Sequence, residues 1–180
     1  MSTTITVHGL SFSPFLGAQD IQARILAMGA QISSDYEGKR PLFLAVLNGA
    51  FMFAADLLRA CTVDCEIAFI RLASYDGLSS SGKVKTVIGL QEHLEGRHVI
   101  VVEDIVDSGK TLSEFLPQLR EKGPASVSVA ALLVKPEALE FEVPIHYKGF
   151  DIPSSFVVGY GLDYDGLGRN LPELYQLNQG

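Results

Sequence analysis

The chain has 180 residues, 47% of them hydrophobic, enough for one globular domain with a substantial core. A net charge of -7 and a pI near 5.0 disfavour general attraction to nucleic acid or anionic lipid. The opening MSTTITVHGL lacks a basic stretch ahead of an apolar core, and the most apolar run, Phe43 to Leu58, is interrupted by Asn48 and Asp56. Neither an export signal nor a membrane span is therefore expected, and the expected location is cytoplasmic. Cys61 and Cys65 form a lone C-x3-C without a partner pair and are read as free thiols.

Apolar runs alternate with helix-like segments, the pattern of an α/β domain with a mainly parallel sheet. From Gln19 to Ile32, the spacing of Ile21, Ile25, Met28 and Ile32 predicts an amphipathic helix. Pro41 to Leu47 reads as a buried strand, and a helix from about Phe51 to Ala60 follows Asn48-Gly49. Strands are expected at Cys65 to Leu72 and around Val84 to Leu90. The SYDGLSSSG between them argues for a mobile loop, either a plain connection or an active-site lid. His98 to Val102 is the expected central strand, followed by a helix from near Gly109 to Lys122 and a strand from Ser126 to Val134. In the tail, Pro144, Pro153 and the glycines from Gly159 to Gly168 break regularity, with Ser155 to Gly161 as a further strand.

The chemistry concentrates in VIVVEDIVDSGKTL, Val99 to Leu112. Apolar residues run into Glu103 and Asp104, Asp107 follows, and then Ser108-Gly109-Lys110-Thr111 has the freedom, charge and hydroxyls of a phosphate cradle. Glu103 to Thr111 is read as the loop leaving a strand's carboxyl end, where open α/β sheets bind ligands. A nucleotide-hydrolysing P-loop is excluded because G-x-x-x-x-G-K-[ST] needs glycine where Asp104 stands. G-x-G-x-x-G is absent from this turn as well. A phosphorylated sugar reconciles the two halves: the acids accept from ribose hydroxyls while the amides after Asp107 hold the phosphate.

VVEDIVDSGKT resembles the phosphoribosyl pyrophosphate signature of type I phosphoribosyltransferases. VLNGAFMFAADL, FIRLASY, SVAALLVK and FVVGYGLDYDGLGRNL are similar, in order and spacing, to segments of the hypoxanthine-guanine branch, from about Pro41 to Leu171. The resemblance implies the type I phosphoribosyltransferase fold: a mainly parallel central sheet flanked by helices, with a small hood. Residues 1–180 would form a single domain, with a lid loop at about 74–86 and a hood from the N-terminal segment and about 136–180. It implies transfer of a phosphoribosyl group to hypoxanthine, and also guanine, giving IMP or GMP and pyrophosphate.

The residue roles are likewise those the resemblance implies. Glu103, Asp104, Asp107, Ser108, Gly109, Lys110, Thr111, Gly49 and Arg169 would bind phosphoribosyl pyrophosphate, with Asp107 as general base. Lys135, Phe156, Val157 and Asp163 would bind the purine, Lys135 donating to the exocyclic oxygen of a 6-oxopurine. Ser74 and Tyr75 would open the lid. Glu103, Asp104 and Asp163 would hold Mg2+, which neutralises the leaving pyrophosphate. The pattern departs at Asn48, where many relatives carry lysine or arginine, so a positive charge is missing there. Each role has a plainer alternative: Asp107 as a helix cap, Lys135 as a solvated lysine, Phe156 and Val157 as strand core. The four histidines belong to no motif and are read as structural or surface residues. The partners implied are the base and phosphoribosyl pyrophosphate, with no nucleic acid or membrane, in a homodimer or homotetramer. The rival readings are a nucleic-acid-binding regulator of the same fold, or an enzyme of that fold using another base such as xanthine.

Overall fold

A computed structural model describes residues 3–73, 85–88 and 93–178, with residues 73 and 85–88 as backbone alone. The lid start expected at Ser74 and Tyr75 lies outside the described residues. The chain begins with an antiparallel pair, β1 (Ile5–Val7) and β2 (Leu10–Leu16), ahead of helix α1 (Ala18–Asp35). Then follow β3 (Leu42–Leu47), α2 (Phe51–Ala60), β4 (Glu66–Ala73), β5 (Lys85–Ile88), β6 (His98–Val106), α3 (Lys110–Arg120) and β7 (Ser126–Val134). The tail contributes a short 3-10 turn at Pro136–Ala138, β8 (Tyr147–Asp151), β9 (Val157–Val158) and β10 (Leu174–Leu177).

The main sheet runs β5-β4-β3-β6-β7-β8, parallel throughout except where β5 pairs antiparallel with β4. Its inner strands are near-continuous apolar runs because helices cover both faces. Side chains alternate between the faces with a period of two. Phe43, Ala45, Ile100 and Val102 join Ile21, Ile25, Met28 and Ile32 of α1 and Phe53 and Leu57 of α2. Leu42, Leu44, Val99 and Val101 pack on the other side against Leu112, Phe115, Leu116 and Leu119 of α3. Both helical stripes follow the three-and-four spacing that lets a helix bury one face. Among the described residues, no helix is long and apolar enough to cross a membrane.

The hood is a separate antiparallel sheet ordered β1-β2-β10-β9, closed around Val7, Phe12, Val158 and Tyr175. It joins the first strands of the chain to the last. Residues 147–151, within the stretch expected in the hood, instead form β8 at the edge of the main sheet. The strand expected over Ser155 to Gly161 shortens to Val157–Val158, because Gly159, Tyr160 and Gly161 take φ of 108°, 45° and 100°, outside the extended region. A further difference bears on the site. β6 does not stop at Val102: its pairing with β7 continues through Glu103↔Ala131 to Val106↔Val134, so Glu103 and Asp104 lie on the strand rather than in the loop after it.

Helices α1 and α2 meet at Gly29, where a Cβ would fall 2.6 Å from the Cβ of Ala60. Gly29→Val is expected to overpack this contact and lower stability by about 1–3 kcal/mol. For a chain of this size that is a melting temperature lower by roughly 3–10 °C, measurable by thermal denaturation. An unchanged melting temperature would show that the helices can separate there at no cost.

Candidate functional site

Parallel pairing brings the carboxyl ends of β3, β6 and β7 together, and the residues just beyond them meet at one edge of the sheet. Gly49 follows β3, Asp107 follows β6 and Lys135 follows β7. A cleft of about 250 Å³ opens there, lined by Asp104, Asp107 and Lys135 from the sheet and Phe156, Val157 and Asp163 from the hood side. Beside it, a smaller hollow of about 110 Å³ is lined by Glu103, Asp107 and the run Ser108 to Thr111. The two share Asp107.

Between them sits one ion pair. Lys135 Nζ lies 2.8 Å from Asp107 Oδ2, with the lysine side chain 11% exposed and the aspartate 57%. The Lys135 amide also donates to Val106 O at 2.9 Å, so the lysine is tied to β6 through main chain and side chain alike. This is not a lysine reaching freely into solvent. Asp107 is no helix cap either: the residue that caps α3 is Gly109, with φ of 80° and no side-chain cap bond. That left-handed conformation suits glycine. A Cβ there would also meet Phe141 O at 2.7 Å. Ser108 O accepts the amides of Glu140 and Phe141, both at 3.0 Å, which clamps the cradle onto the segment that follows β7.

The two acids on β6 are set in low-polarity surroundings. Glu103 keeps some exposure as a residue, yet its Oε2 is buried and has no hydrogen-bond partner among the described residues. Burial, and then the neighbouring Asp104 charge, push its carboxyl well above the usual range. Asp104 is pushed up to about 6 by burial and by Asp163, against the opposing effect of the Ile105 amide at 2.8 Å and of Arg169. Its carboxylate rests directly on Gly49, where a Cβ would fall 1.6 Å from Asp104 Oδ2, so no larger residue fits. Arg169 Nη2 pairs with Asp163 Oδ1 at 2.7 Å, and Nη1 donates to Gly161 O at 2.7 Å. Asp163 Oδ2 accepts the Gly166 amide at 2.7 Å.

Asp163 is thus engaged at both oxygens, and among the described residues no group of three or more His, Cys, Asp or Glu side chains is arranged to hold a metal ion by itself. The orphaned Glu103 oxygen and the raised Asp104 carboxyl line different hollows, yet each is an oxygen donor of the kind a hard cation takes. A cation here would need further oxygens from a ligand or from water.

Phe156 stands 44% exposed beside the cleft, its ring edge-on to Tyr164 with centroids 5.6 Å apart, so it is not strand core. Val157 is both core and cleft wall. Ile105 and Leu162 also line the cleft, although as apolar residues inside longer motifs they carry no signal separating them from core. His8, His98 and His146 bond to Asp165 O, Ser126 and the Val129 amide, away from the cleft. Cys61 and Cys65 are free thiols.

Comparison with known proteins fits this geometry. Residues 16–165 match the family model of a phosphoribosyl transferase domain. The hypoxanthine-guanine phosphoribosyltransferase of Mycobacterium tuberculosis (strain H37Rv) is 44% identical over 178 residues, covering 91% of this chain and 88% of the relative. That of Dictyostelium discoideum is 39% identical over 166 residues, covering 89% and 92%. The crystal structure of a hypoxanthine-guanine phosphoribosyltransferase from Bacillus anthracis superposes with a TM-score of 0.87 at 36% identity, covering 93% of this chain and 97% of that one. A mainly parallel sheet with a hood over its carboxyl edge, an acid pair leading into the turn from Ser108 to Thr111, and likeness over nine-tenths of the chain lead to one conclusion: this chain belongs to the hypoxanthine-guanine phosphoribosyltransferases.

Proposed function

We propose that this chain transfers the phosphoribosyl group of 5-phosphoribosyl 1-pyrophosphate to hypoxanthine, and also to guanine, releasing pyrophosphate and IMP or GMP. The observation that carries this reading is the Lys135–Asp107 pair, an ammonium donor and a carboxylate acceptor 2.8 Å apart where the cleft meets the phosphate cradle. One pair then faces both substrates.

The purine enters the larger cleft against Phe156, with Val157 presenting its main chain to the base edge. Lys135, which has donors only, gives a hydrogen bond to the 6-oxo group, and an amino group at that position offers it no acceptor. The ribose phosphate sits on Ser108, Gly109, Lys110 and Thr111 at the start of α3, where unsatisfied amides and the helix dipole favour an anion. Glu103 and Asp104 accept from the ribose hydroxyls, while Arg169 and the Gly49 amide hold the pyrophosphate from opposite sides. In the reaction the bond from C1 to the pyrophosphate oxygen breaks, that oxygen keeping the electron pair, and a ring nitrogen forms the new bond to C1. The proton on the base passes to the Asp107 carboxylate.

Glu103 and Asp104, with Asp163 nearby, are the residues that would hold Mg2+, together with substrate oxygens and water, and the ion supplies charge neutralisation at the pyrophosphate. Asp104 and Asp163 would otherwise repel that group. The same reading takes the whole chain as one catalytic domain working in the cytoplasm, in a homodimer or homotetramer.

A panel of bases assayed with phosphoribosyl pyrophosphate tests the assignment directly. Hypoxanthine or guanine should be converted and adenine essentially refused; adenine as the better substrate would overturn the role given to Lys135.

Exhaustive chelation of divalent ions should abolish turnover, and Mg2+ should restore it. Full activity without divalent ions would remove the cation from the scheme.

Asp107→Asn keeps the side-chain size but not the proton acceptor. The single-turnover chemical rate should fall roughly ten-fold or more, with little change in phosphoribosyl pyrophosphate affinity or melting temperature. A wild-type chemical rate would reject Asp107 as the base.

A further inference from the structure

Among the described residues, Tyr160 on the hood side makes polar contacts with Asp56 and Gln22 of the body of the molecule. The Tyr160 hydroxyl donates to Asp56 Oδ2 at 2.5 Å, and Gln22 Nε2 donates to the same oxygen at 2.8 Å. Tyr160 is buried, and burial together with the Asp56 carboxylate holds its hydroxyl in the protonated form, as the donor. Asp56 belongs to α2, the helix that begins just after Gly49. Tyr160 belongs to the turn that leads from β9 to Asp163 and Arg169.

The backbone around Tyr160 does not hold itself in place cheaply. Tyr160 has φ of 45°, a conformation that costs a non-glycine residue energy and persists only where surrounding contacts enforce it. Its amide donates to Leu171 O, and the next amide, of Gly161, donates to Arg169 O. Gly161 O accepts from Arg169 Nη1 at 2.7 Å. The opposite side of Gly161 lies against the loop after β3, where a Cβ would come within 2.2 Å of Gly49 O. Displacing this turn therefore moves Arg169 relative to Gly49, which are the two sides of the proposed pyrophosphate grip.

We propose that Tyr160 is a positioning residue: its hydrogen bond to Asp56 fixes the separation between the Gly49 loop and Arg169, and so sets affinity for the pyrophosphate end of the substrate. The inference rests on the pyrophosphate reading of Gly49 and Arg169. It predicts an asymmetric effect. The base contacts proposed at Phe156 and Val157 precede Tyr160 in the chain and are held separately, through the pairing of Val157 with Gln176 and of Val158 with Tyr175. Loss of the strut loosens the pyrophosphate side and leaves the base side in place.

Steady-state kinetics and pyrophosphate binding on Tyr160→Phe, which keeps the ring and removes the hydroxyl, provide the test. The KM for phosphoribosyl pyrophosphate and the dissociation constant for pyrophosphate should each rise roughly ten-fold, the scale of a lost hydrogen bond to a charged group, with the hypoxanthine KM within about two-fold of wild type. Asp56→Ala should reproduce this, the double variant Tyr160→Phe/Asp56→Ala should be no worse than either single one, and Asp56→Asn, which keeps an oxygen acceptor, should largely restore wild-type behaviour. An equal rise for both substrates, or a lower melting temperature with unchanged kinetics, would make the contact structural only and overturn the proposal. Arg169→Ala separates the two levels. If it leaves pyrophosphate binding intact, the reading of the site fails; if it weakens binding while Tyr160→Phe does not, only the strut fails.

Discussion

The site depends on the parallel alignment of three strands. β6 lies between β3 and β7 with all three pointing the same way, so the chain leaves the sheet at one edge three times, at Gly49, at Asp107 and at Lys135. An antiparallel neighbour would carry one of those exits to the opposite edge. Continuous apolar strands bury both faces of the sheet under α1, α2 and α3 and hold the alignment rigid. Carboxylates can then be held where solvent would not leave them, with Glu103 and Asp104 extending the strand itself.

This placement explains why the site's charges are poised. Asp104 lies against Gly49, and Glu103 has an oxygen with no partner among the described residues, so burial raises both carboxyls above their usual range, Asp104 against the opposing pull of the Ile105 amide and Arg169. Asp107, at the exit of the same strand, is more open and is already matched by Lys135. Acids close together in sequence thus occupy different electrostatic surroundings. Arg169, reaching in with the hood side, favours the charged form of Asp104 and ties Asp163 to the same group.

The helices and the inner strands were legible in the sequence because their periodicities are strong. α2 from Phe51 to Ala60 and β7 from Ser126 to Val134 agree with expectation at both ends. The hood strands were not. β1, β2 and β10 mix polar with apolar residues, and although β1 and β2 form a local pair, the sheet is completed only by pairing across the whole chain, as Phe12 does with Leu177, so no local pattern marks it. β8, in Tyr147–Asp151, is an edge strand with a lysine and a glycine, equally unmarked. At the site, the resemblance singled out Asp107, Lys135 and Ser108 to Thr111, which line a cleft and the hollow beside it, but the extension of β6 through Glu103 and Asp104 needed knowledge of β7's register. That Lys135 and Asp107 meet is a fact of the fold, since 28 positions separate them. Tyr160 went unnoticed because its partner, Asp56, looks like any polar residue on an exposed helix face.

The clamp on Ser108 O reaches beyond the loop it holds. Lys135 starts the segment whose other end, Glu140 and Phe141, grips that loop, and Gly109 lies too close to Phe141 O to carry a side chain. On the proposed reading, recognition of the base and recognition of the sugar phosphate are therefore written on one short stretch of chain. A lineage drifting toward a different base could not freely rebuild this stretch, because each insertion or deletion between Lys135 and Phe141 would also shift the hold on Ser108. On the same reading, acceptor preference is freer to diversify on the hood side, at Phe156 and Leu162, which line the cleft but not the hollow beside it.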